Sequence, residues 1–432
     1  MVLIVPDEQS WTMLGADPTV SGFRPTWNPE AATVLLAPEQ VPDGLAAGLA
    51  AYRDLLPDRV RVEYRKLPIA GRTSVRHLLD RAPAPEANHM AHEHGHAEHD
   101  HGEHGHGGHH DMMAIVGEPS ADGLVMETIE LTYGPLGTPF PGGLAIDVTL
   151  DGDVVAESAV YALLRAEPVP ALDFPDALSP VAWTVALADP AGTEWLAVAA
   201  VELERAISHI AWLRSLGRLL DAQPLIDACT QALASLQVSR EIHPPGRIPH
   251  EAWLRAAFGS PDLAASRAAL EDVVTLVGRS RALRWRLRGR AVVAEAEATD
   301  LGLLGPAGRA SGRATDSRST DARYAALGFD PVVRSEGDAL ARAVVRAEEA
   351  LAAVRLADAA VKADGAAGAA DHVIEGPRGP LHARRSAGRW RLGAPGADAA
   401  RRAAADAMVG LEWSAALVAL ASFDLSPWSV GS

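Results

Sequence analysis

Cysteine is almost absent from this chain of 432 residues, in which Cys229 is the only one. A single cysteine cannot form a disulfide within the chain. It also cannot supply the thiolates of a four-cysteine iron–sulfur cluster or of a cysteine-rich zinc site. We therefore expect no such centre to be built by this chain alone.

Basic charge is also in short supply, because 39 Lys and Arg face 56 Asp and Glu, for a formal net charge of −17. Nucleic-acid binding needs a positive field, so we expect no nucleic-acid partner. The sequence lacks an uninterrupted apolar run of about 18 residues, which a membrane-spanning helix requires. Its amino terminus lacks the basic start and long apolar core of a secretory signal. We expect a cytosolic protein that can dock on a membrane partner.

Residues 1–82 have the pattern of a small α/β module. A short apolar run at residues 32–36 predicts a buried strand, and residues 41–56 have helical periodicity. Residues 59–67 alternate between polar and apolar side chains, which predicts a second strand. No glycine-rich turn follows the first strand, so the phosphate-binding signal of many α/β domains is missing.

Residues 83–118 form a histidine-rich stretch, which is predicted to be a disordered linker because it has too few apolar residues for a core. Its ten histidines are His89, His92, His94, His96, His99, His101, His104, His106, His109 and His110. Imidazoles in a flexible segment can bind Ni, Zn or Cu. Two interpretations stay open: a metal-handling segment, or a low-complexity tract with adventitious affinity.

The most informative stretch covers residues 301–354. Four glycines and two arginines between residues 302 and 313 predict a loop whose guanidinium groups can bind carboxylate or phosphate. Ser335 is a predicted N-cap, with Asp338 as the acid of a capping box. Leu340, Val344 and Leu351 then recur at helical spacing, and Arg342, Arg346 and Glu349 line another face of the same helix.

This stretch resembles the large, quinone-site subunit of respiratory complex I, which is related to the large subunit of NiFe hydrogenases. The matching positions are Gly305, Pro306, Arg309, Ser311, Gly312, Asp316, Arg318, Tyr324, Gly337, Asp338, Arg342, Arg346 and Glu349. A second match is a helix over residues 197–222 with Glu202, Arg205 and His209 on one face. A third is the hairpin at residues 371–383, with Glu375, Pro377, Arg378 and Gly379.

The chain departs from the family where the family performs chemistry. A predicted hairpin at residues 126–160 carries a loop, residues 134–143, in which the family has a histidine that binds or protonates quinone; Thr138 and Pro139 lie there instead. The family's quinone-facing tyrosine is also missing after residue 162. The C-terminal tail keeps Ser422, Phe423 and Asp424, but Ser426 and Ser429 occupy the positions of two nickel-binding cysteines. A hydroxyl is a poor ligand for a soft metal, so a NiFe centre is excluded.

The one basic run is residues 279–290, in which arginines alternate with apolar residues from Arg284 to Arg290. In a strand this alternation gives one cationic face and one apolar face. We interpret it as a docking face for an acidic partner subunit, and a solvated strand is the alternative.

The resemblance implies an α+β fold with a mostly helical core, an N-terminal β-hairpin and a C-terminal hairpin, spanning residues 119–432. We expect the cavity-facing or partner-facing residues to be Glu202, Arg205, His209, Arg309, Asp316, Arg318, Arg342, Arg346 and Glu349. His209 could instead be a packed histidine within a helix pair.

Three functions are compatible with these residues. The first is a degenerate, non-catalytic large subunit that holds an iron–sulfur small subunit, carrying a 4Fe–4S cluster, against a membrane subunit of a complex I-like or hydrogenase-like assembly. The second is an active quinone-reducing subunit with a remodelled site, and the third is metal handling through the histidine tract. The resemblance implies a cytoplasmic chain, peripheral on the inner face of the cell membrane, with no cofactor bound by this chain alone.

The third function predicts that the histidine tract dominates metal binding. Titration of the full chain with Ni²⁺ or Zn²⁺ should give several bound ions per chain, and deletion of residues 89–110 should remove most of them. An unchanged metal stoichiometry after the deletion would rule out a metal-handling tract.

Overall fold

The computed structural model describes residues 1–65, 128–170, 195–238 and 263–429, with short gaps. The gaps are residues 5–6, 14–16, 18, 20–22, 39–42, 55, 59, 137, 166–168, 366, 368–372 and 387–388. The linker 83–118 and all ten of its histidines lie outside the described residues. The α+β class expected from the sequence is confirmed by the mixture of helices and strands.

The N-terminal elements form a parallel sheet with two helices. They are β1 (Val2–Ile4), α1 (Glu8–Met13), β2 (Val34–Pro38), α2 (Asp43–Asp54) and β3 (Arg61–Arg65), with strand order β1-β2-β3. Leu35, Leu36 and Leu45 form their apolar core, which also takes in Leu136 and Leu164 from later in the chain. The N-terminal elements therefore pack directly on the rest of the protein.

Residues 129–162 form three antiparallel strands, one more than the predicted hairpin: β4 (Ile129–Tyr133), β5 (Leu144–Asp151) and β6 (Val154–Ala162). Ile146, Val148 and Leu150 face the core, whereas Asp147 is exposed, as the alternation predicts. Gly152, at φ +63°, makes the turn between β5 and β6. Short strands β7 (Leu164–Arg165) and β8 (Val169–Pro170) follow.

Helices dominate the central part. They are α3 (Trp195–Leu219), α4 (Gln223–Val238), α5 (Ala264–Arg279), α6 (Arg281–Leu287), α7 (Glu295–Asp300), α8 (Gly305–Ala310), α9 (Ala322–Ala326) and α10 (Ala339–Lys362). Helix α3 packs along α10 and is buried over most of its length, including Glu202, Glu204, Arg205 and Arg214. Both helices carry fully buried alanines, such as Ala199 and Ala206 on α3 and Ala350 on α10, and such small side chains favour close packing of helices.

The C-terminal part contains a sheet and two helices. Its elements are β9 (Val373–Gly376), β10 (Gly379–Ser386), β11 (Arg389–Gly393), α11 (Ala397–Asp406), α12 (Trp413–Ser422) and β12 (Trp428–Ser429). Strands β9 and β10 form the expected hairpin, which β11 and β8 extend to order β8-β11-β10-β9. The alanine-rich residues 399–420 predict a single helix, and this prediction is wrong, because a turn containing Gly410 at φ +78° separates α11 from α12.

The predicted strand at residues 279–290 is also wrong, because this stretch contains helix α6. Leu283 and Leu287 are buried and lie four residues apart, which places both on one helical face. The hydroxyl of Ser280 caps the helix by accepting a hydrogen bond from the backbone N–H of Leu283 at 3.3 Å. The two buried leucines, four residues apart, therefore fix this stretch as a helix, although the two-residue alternation of the arginines is typical of a strand.

The predicted glycine-rich loop at residues 305–312 is mostly helical, because residues 305–310 form α8. Pro306 lies in its first turn, where its missing N–H is tolerated. Gly305 has φ +67°, and a Cβ there would collide with the backbone carbonyl of Arg378. Glycine is therefore required at this position by both its conformation and the close approach of the β9–β10 turn.

The N-cap of α10 is Asp338, not Ser335. The Asp338 carboxylate accepts hydrogen bonds at 2.7 Å from the backbone N–H groups of Ala341 and Gly289. Arg342, Arg346 and Glu349 are almost completely buried, whereas Leu340 and Val344 are half-buried. The charged face of this helix is thus as well buried as its apolar face.

No helix in the described ranges combines the length and the apolar character that crossing a bilayer demands.

If Asp338 is the N-cap of α10, its replacement should destabilise the protein more than replacement of Ser335. Asp338→Ala should lower the free energy of unfolding by about 1–2 kcal/mol, because it removes the N-cap of α10. The matched variant Ser335→Ala changes an exposed residue and should stay within about 0.5 kcal/mol of the wild type. Urea unfolding followed by circular dichroism measures both, and equal losses would contradict the assignment.

Candidate functional site

Helix α3 presents a buried carboxylate to three hydrogen-bond donors. Glu202 has no exposed surface and accepts a hydrogen bond from Arg205 Nε at 3.1 Å. It also accepts from Arg318 Nη1 at 3.2 Å and from the Tyr324 hydroxyl at 2.8 Å. Arg205 extends further, donating to the carbonyl oxygens of Gly376 at 2.9 Å and Glu375 at 2.5 Å. One turn of α3 is thereby tied to the 310 turn Ser317–Thr320, to α9 and to β9.

Arg309, on α8, is the centre of the site. Its Nε and Nη2 donate to the two carboxylate oxygens of Glu349 at 2.5 and 3.0 Å. Its Nη1 donates to Glu375 Oε1 at 3.0 Å and lies 2.9 Å from Asp316 Oδ2. Three carboxylates from three elements thus surround one guanidinium, whose planar fork fits this arrangement.

Asp316 joins Arg309 to Arg318. Arg318 binds Asp316 in a bidentate pair, with Nε 3.0 Å from Oδ1 and Nη2 2.8 Å from Oδ2. The Phe329 ring lies 4.2 Å from the Arg318 guanidinium carbon and shields it from water. Burial opposes ionisation, but Arg318 and Arg309 hold the pKa of Asp316 below its ordinary value.

His209 lies between a carboxylate and a guanidinium. Its Nε2 is 3.1 Å from Glu349 Oε2, and its Nδ1 is 3.0 Å from Arg346 Nη1. Because a guanidinium can only donate, Nδ1 accepts and the proton is on Nε2, which donates to Glu349. Burial, together with the positive charge of Arg346, lowers the pKa of His209 to about 4 despite the nearby Glu349. The histidine is neutral near pH 7.

The site continues into the C-terminal segment. Arg346 Nη1 lies 2.9 Å from Asp424 Oδ2, and the Trp212 ring lies beside its guanidinium. Arg378 donates to Asp424 twice, from Nη2 to Oδ1 at 2.9 Å and from Nε to the backbone carbonyl at 3.0 Å. Asp424 has φ +51°, an uncommon backbone conformation for a residue other than glycine. These contacts fix the segment that follows α12.

Together these residues form one connected ionic network, in which five arginines balance five carboxylates around a neutral histidine. Its charged members are Arg205, Arg309, Arg318, Arg346, Arg378, Glu202, Asp316, Glu349, Glu375 and Asp424. Burial alone would raise the pKa of Glu349, but Arg309 and the hydrogen bond from His209 hold it well below its usual range. Every carboxylate in the network accepts from at least one arginine, so the charges are compensated within the protein.

Eight of the nine site residues expected from the sequence belong to this network, and Arg342 does not. Arg342 donates to the Ser422 hydroxyl at 2.8 Å and to the carbonyl oxygens of Gly337 and Ala291 at 2.8 Å. Because burial is offset only by neutral oxygens and the more distant Asp338, the pKa of Arg342 falls to about 9. Its role is to join α10 to α12 and to the segment after α6.

The sequence reasoning missed four members of the site: Tyr324, Glu375, Arg378 and Asp424. Each lay in a motif that had been recognised, but none had a spacing that places it beside α3 or α8. Glu375 is the clearest case, since its Oε1 accepts from Arg309, 66 residues away, and its Oε2 accepts from the backbone N–H of Ser317 at 3.1 Å. The motif of Glu375, Pro377, Arg378 and Gly379 was the only available signal.

The N-terminal segment lies against the loop of residues 134–143. Asp7, directly before α1, accepts a hydrogen bond from the backbone N–H of Gly142 at 3.0 Å and two from Ser10 at 2.8 Å. Burial raises the pKa of Asp7 even though these hydrogen bonds lower it. Gln9 Nε2 reaches Asp424 Oδ1 at 3.4 Å. No pattern in the sequence indicates that residues 7–9 meet both the loop and the C-terminal segment.

A second group of buried charges attaches α1 to α3. Arg214 lies 2.9 Å from Glu8 Oε1 and donates to Asp17 Oδ2 at 2.8 Å. Arg218 donates to both oxygens of Glu8, at 2.8 and 3.0 Å. The opposing cations lower the pKa of Glu8 although burial works against them. The first residues of the chain are therefore fixed on the helix that carries His209.

Only a small space is left beside Thr138. The cavity there has a volume of about 30 Å³ and is bordered by Asp7, Gln9, Phe140 and Trp212. A water molecule needs roughly 10–15 Å³ on this measure, so the cavity holds about two.

A larger cavity of about 70 Å³ lies between the β9–β10 turn and the C-terminal segment, bordered by Pro377, Arg378, Asp424 and Ser426. The hydrogenase relatives implied by the resemblance would have nickel-binding thiolates in this segment. Ser426 offers a hydroxyl there, and Cys229 lies in the core on α4, where burial raises the pKa of its thiol to about 12. These donors do not fit a nickel–iron centre.

The resemblance noted in the sequence is confirmed by comparison with known proteins. Residues 262–379 match the family of the respiratory-chain NADH dehydrogenase 49 kDa subunit. The chain is 38% identical over 89 residues to a subunit of the NADH-quinone oxidoreductase of Sinorhizobium medicae. It is 35% identical over 88 residues to the carbon monoxide-induced hydrogenase of Rhodospirillum rubrum. These alignments cover 20% of this chain and 22% and 24% of the two relatives, so the chain matches about a quarter or less of their length.

The fold is similar to that of one chain in the membrane-bound sulfane sulfur reductase, an archaeal respiratory membrane complex. The TM-score is 0.54 at 21% sequence identity, with 70% of this chain and 97% of the other chain covered. The match to the 49 kDa subunit family lies in the α5–β9 part of the molecule, whereas the structural match extends well beyond it.

The neutral state of His209 makes stability depend on pH. An unfolded histidine binds a proton near pH 6.5, whereas folded His209 stays neutral down to a pKa of about 4. The unfolded chain binds the extra proton between these values, so the free energy of unfolding falls as the pH falls through this window. When the pH is lowered from about 6.5 to about 5, the free energy of unfolding of the wild type should fall by roughly 2 kcal/mol more than that of His209→Gln.

Urea unfolding at several pH values measures this difference. The control His382→Gln removes an exposed histidine and should keep the wild-type pH dependence. A His209→Gln protein with the same pH dependence as the wild type would show that His209 is not held neutral.

Proposed function

We propose that this chain is a large subunit of a complex I-like or membrane-hydrogenase-like respiratory assembly, and that it holds its partners without performing redox chemistry itself. The match of residues 262–379 to the 49 kDa subunit family supports the first part. The fold shared with a chain of an archaeal respiratory membrane complex agrees with it.

One observation carries the non-catalytic part: the chain's own N-terminal segment occupies the space beside Thr138. Asp7 bonds to the loop through Gly142, and Glu8 is paired with Arg214 and Arg218 on α3. The resembled family is expected to place a quinone at this loop, but only about 30 Å³ remains. A quinone ring could enter only if these hydrogen bonds and ion pairs were broken.

The ionic network supports the same proposal. The carboxylates around Arg309 pair with arginines of the network, and these ion pairs connect α8, α10 and β9 into a rigid body. Removing one partner of a buried pair typically costs about 3–5 kcal/mol, so each member is needed for the fold itself. A rigid body of this kind is suited to holding other subunits in a fixed geometry.

The proposed partners are an iron–sulfur small subunit and one or more membrane subunits. The 4Fe–4S cluster would belong to the small subunit, since the single cysteine of this chain is buried on α4. The chain would then be peripheral on the inner face of the cell membrane. The histidine tract stays a separate candidate for metal handling.

An active quinone reductase is the second candidate, because Asp7 could replace the missing histidine. Its carboxyl group lies beside the Thr138 loop, and burial raises its pKa, which favours the protonated form. A protonated acid at this position could deliver a proton to a bound quinone.

The two candidates differ in what Asp7→Asn does. The assembly should be purified through an affinity tag on this chain, its subunits identified by mass spectrometry, and its iron content and quinone reduction measured. We expect an iron–sulfur subunit to co-purify, and any quinone reduction to change less than about twofold in Asp7→Asn. The control is Asp17→Asn, which removes a buried carboxylate that pairs with Arg214.

Loss of quinone reduction by more than about tenfold in Asp7→Asn alone, with the assembly intact, would overturn the non-catalytic proposal in favour of the reductase. Purification of the chain without any other subunit would overturn the scaffold proposal.

A further inference from the structure

The surface around α6 has a concentration of positive charge that the ionic network does not use. Six arginines lie between residues 279 and 290: Arg279, Arg281, Arg284, Arg286, Arg288 and Arg290. No acidic residue occurs from residue 273 to residue 294, in a chain whose formal net charge is −17. We call residues 279–292 the arginine ridge.

Four of the six arginines of the ridge are exposed, and the other two are half-buried. Arg279, Arg281, Arg284 and Arg288 are exposed, and none of the six forms an ion pair within the described part of the chain. The one side-chain hydrogen bond that they make there runs from Arg284 Nη2 to the Gly278 carbonyl at 2.8 Å. These charges therefore differ from the buried arginines, all of which have partners inside the protein.

An aromatic side chain lies in the middle of these charges. Trp285 is 79% exposed, and Val292 is 51% exposed at the end of the ridge. Arg281 precedes Trp285 by four residues and Arg288 follows it by three, so both are its neighbours on the outer face of α6. Leu283 and Leu287 hold the opposite face in the core, which fixes the direction in which Trp285 points.

The ridge lies at a corner where one helix ends and the next begins. Helix α5 ends at Arg279, α6 begins at Arg281, and Ser280 between them has an extended backbone. A Cβ placed on Gly278 or Gly289, one at each end of the corner, would meet nothing within 4 Å. The backbone at both ends of the ridge is therefore open to solvent in the described part of the chain.

We propose that the arginine ridge docks this chain on the anionic phospholipid headgroups of a bilayer, with Trp285 inserted at the interface. Anionic headgroups move laterally and can gather around six guanidinium groups without a fixed geometry. Basic clusters of four to eight residues bind such surfaces, with about 1 kcal/mol for each cation. Tryptophan is favoured at the membrane–water interface, where its ring is apolar and its N–H can reach polar groups.

The acidity of the rest of the chain does not oppose this docking. The Debye length is about 10 Å at 0.1 M salt, so charges farther than that from the headgroups are largely screened. An acidic protein surface is the other class of partner, but a protein would need carboxylates in fixed positions to match these arginines. Docking on lipid does not depend on partner subunits and can be tested on the purified full chain.

The test is flotation of the full chain with vesicles of phosphatidylcholine, alone or mixed with phosphatidylglycerol, at about pH 8, where histidines are neutral because their ordinary pKa is about 6.5. We expect binding to the mixed vesicles only. The triple variant Arg281→Gln, Arg284→Gln and Arg288→Gln should lower the partition coefficient by about a hundredfold. Trp285→Ser should lower it by roughly tenfold, because it removes apolar area from the interface.

The matched control is Arg267→Gln, Arg355→Gln and Lys362→Gln, which removes the same charge from exposed positions on α5 and α10. It should bind nearly as well as the wild type, and binding should weaken when salt is raised from about 0.1 M to about 1 M. Absence of wild-type binding to mixed vesicles would overturn the proposal. An equal loss in the control triple variant would also overturn it, since the binding would then be generic attraction.

Discussion

The structure depends on the interaction between Arg309 and the three carboxylates around it. Glu349 comes from α10, Glu375 from β9, and Asp316 from the turn after α8, so one side chain joins three parts of the chain. Moving these charges out of water is costly, and their attraction repays that cost only when every group is paired in good geometry. A different packing of the same helices would leave charges unpaired, which makes the network a strong selector of this one arrangement.

The same constraint explains the composition of the two central helices. Helices α3 and α10 carry arginines, glutamates and a histidine on the faces where most proteins have leucine, and alanine fills the space between them. Small alanines allow the backbones to approach, so that long charged side chains can reach partners on neighbouring elements. His209 lies between Glu349 and Arg346 and uses both ring nitrogens, donating from Nε2 to Glu349 and accepting at Nδ1 from Arg346. Only the neutral form of the imidazole can make both contacts.

The positions where the resembled family places its chemistry are occupied by contacts within the chain. The N-terminal segment covers the loop around Thr138, and Asp424 in the tail is held by Arg346 and Arg378. The ionic network is therefore accompanied by only small cavities beside Thr138 and beside Asp424. The arginine ridge lies outside that network, which is why its charges are available to an external surface.

Local sequence patterns and the family resemblance together predicted the long helices α3 and α10 and most of the residues of the network. Glu202, Arg205 and His209 were identified by their spacing along one helix. The other residues were identified because they belong to motifs shared with the resembled family. Wrong predictions arose where two local patterns competed, as at Ser335 and Asp338 or along residues 279–290. Only the tertiary structure decided which distant residues meet, such as Gln9 and Asp424, which are 415 positions apart. No periodicity encodes such a pairing, because it follows from how the helices pack and which buried charges remain to be neutralised.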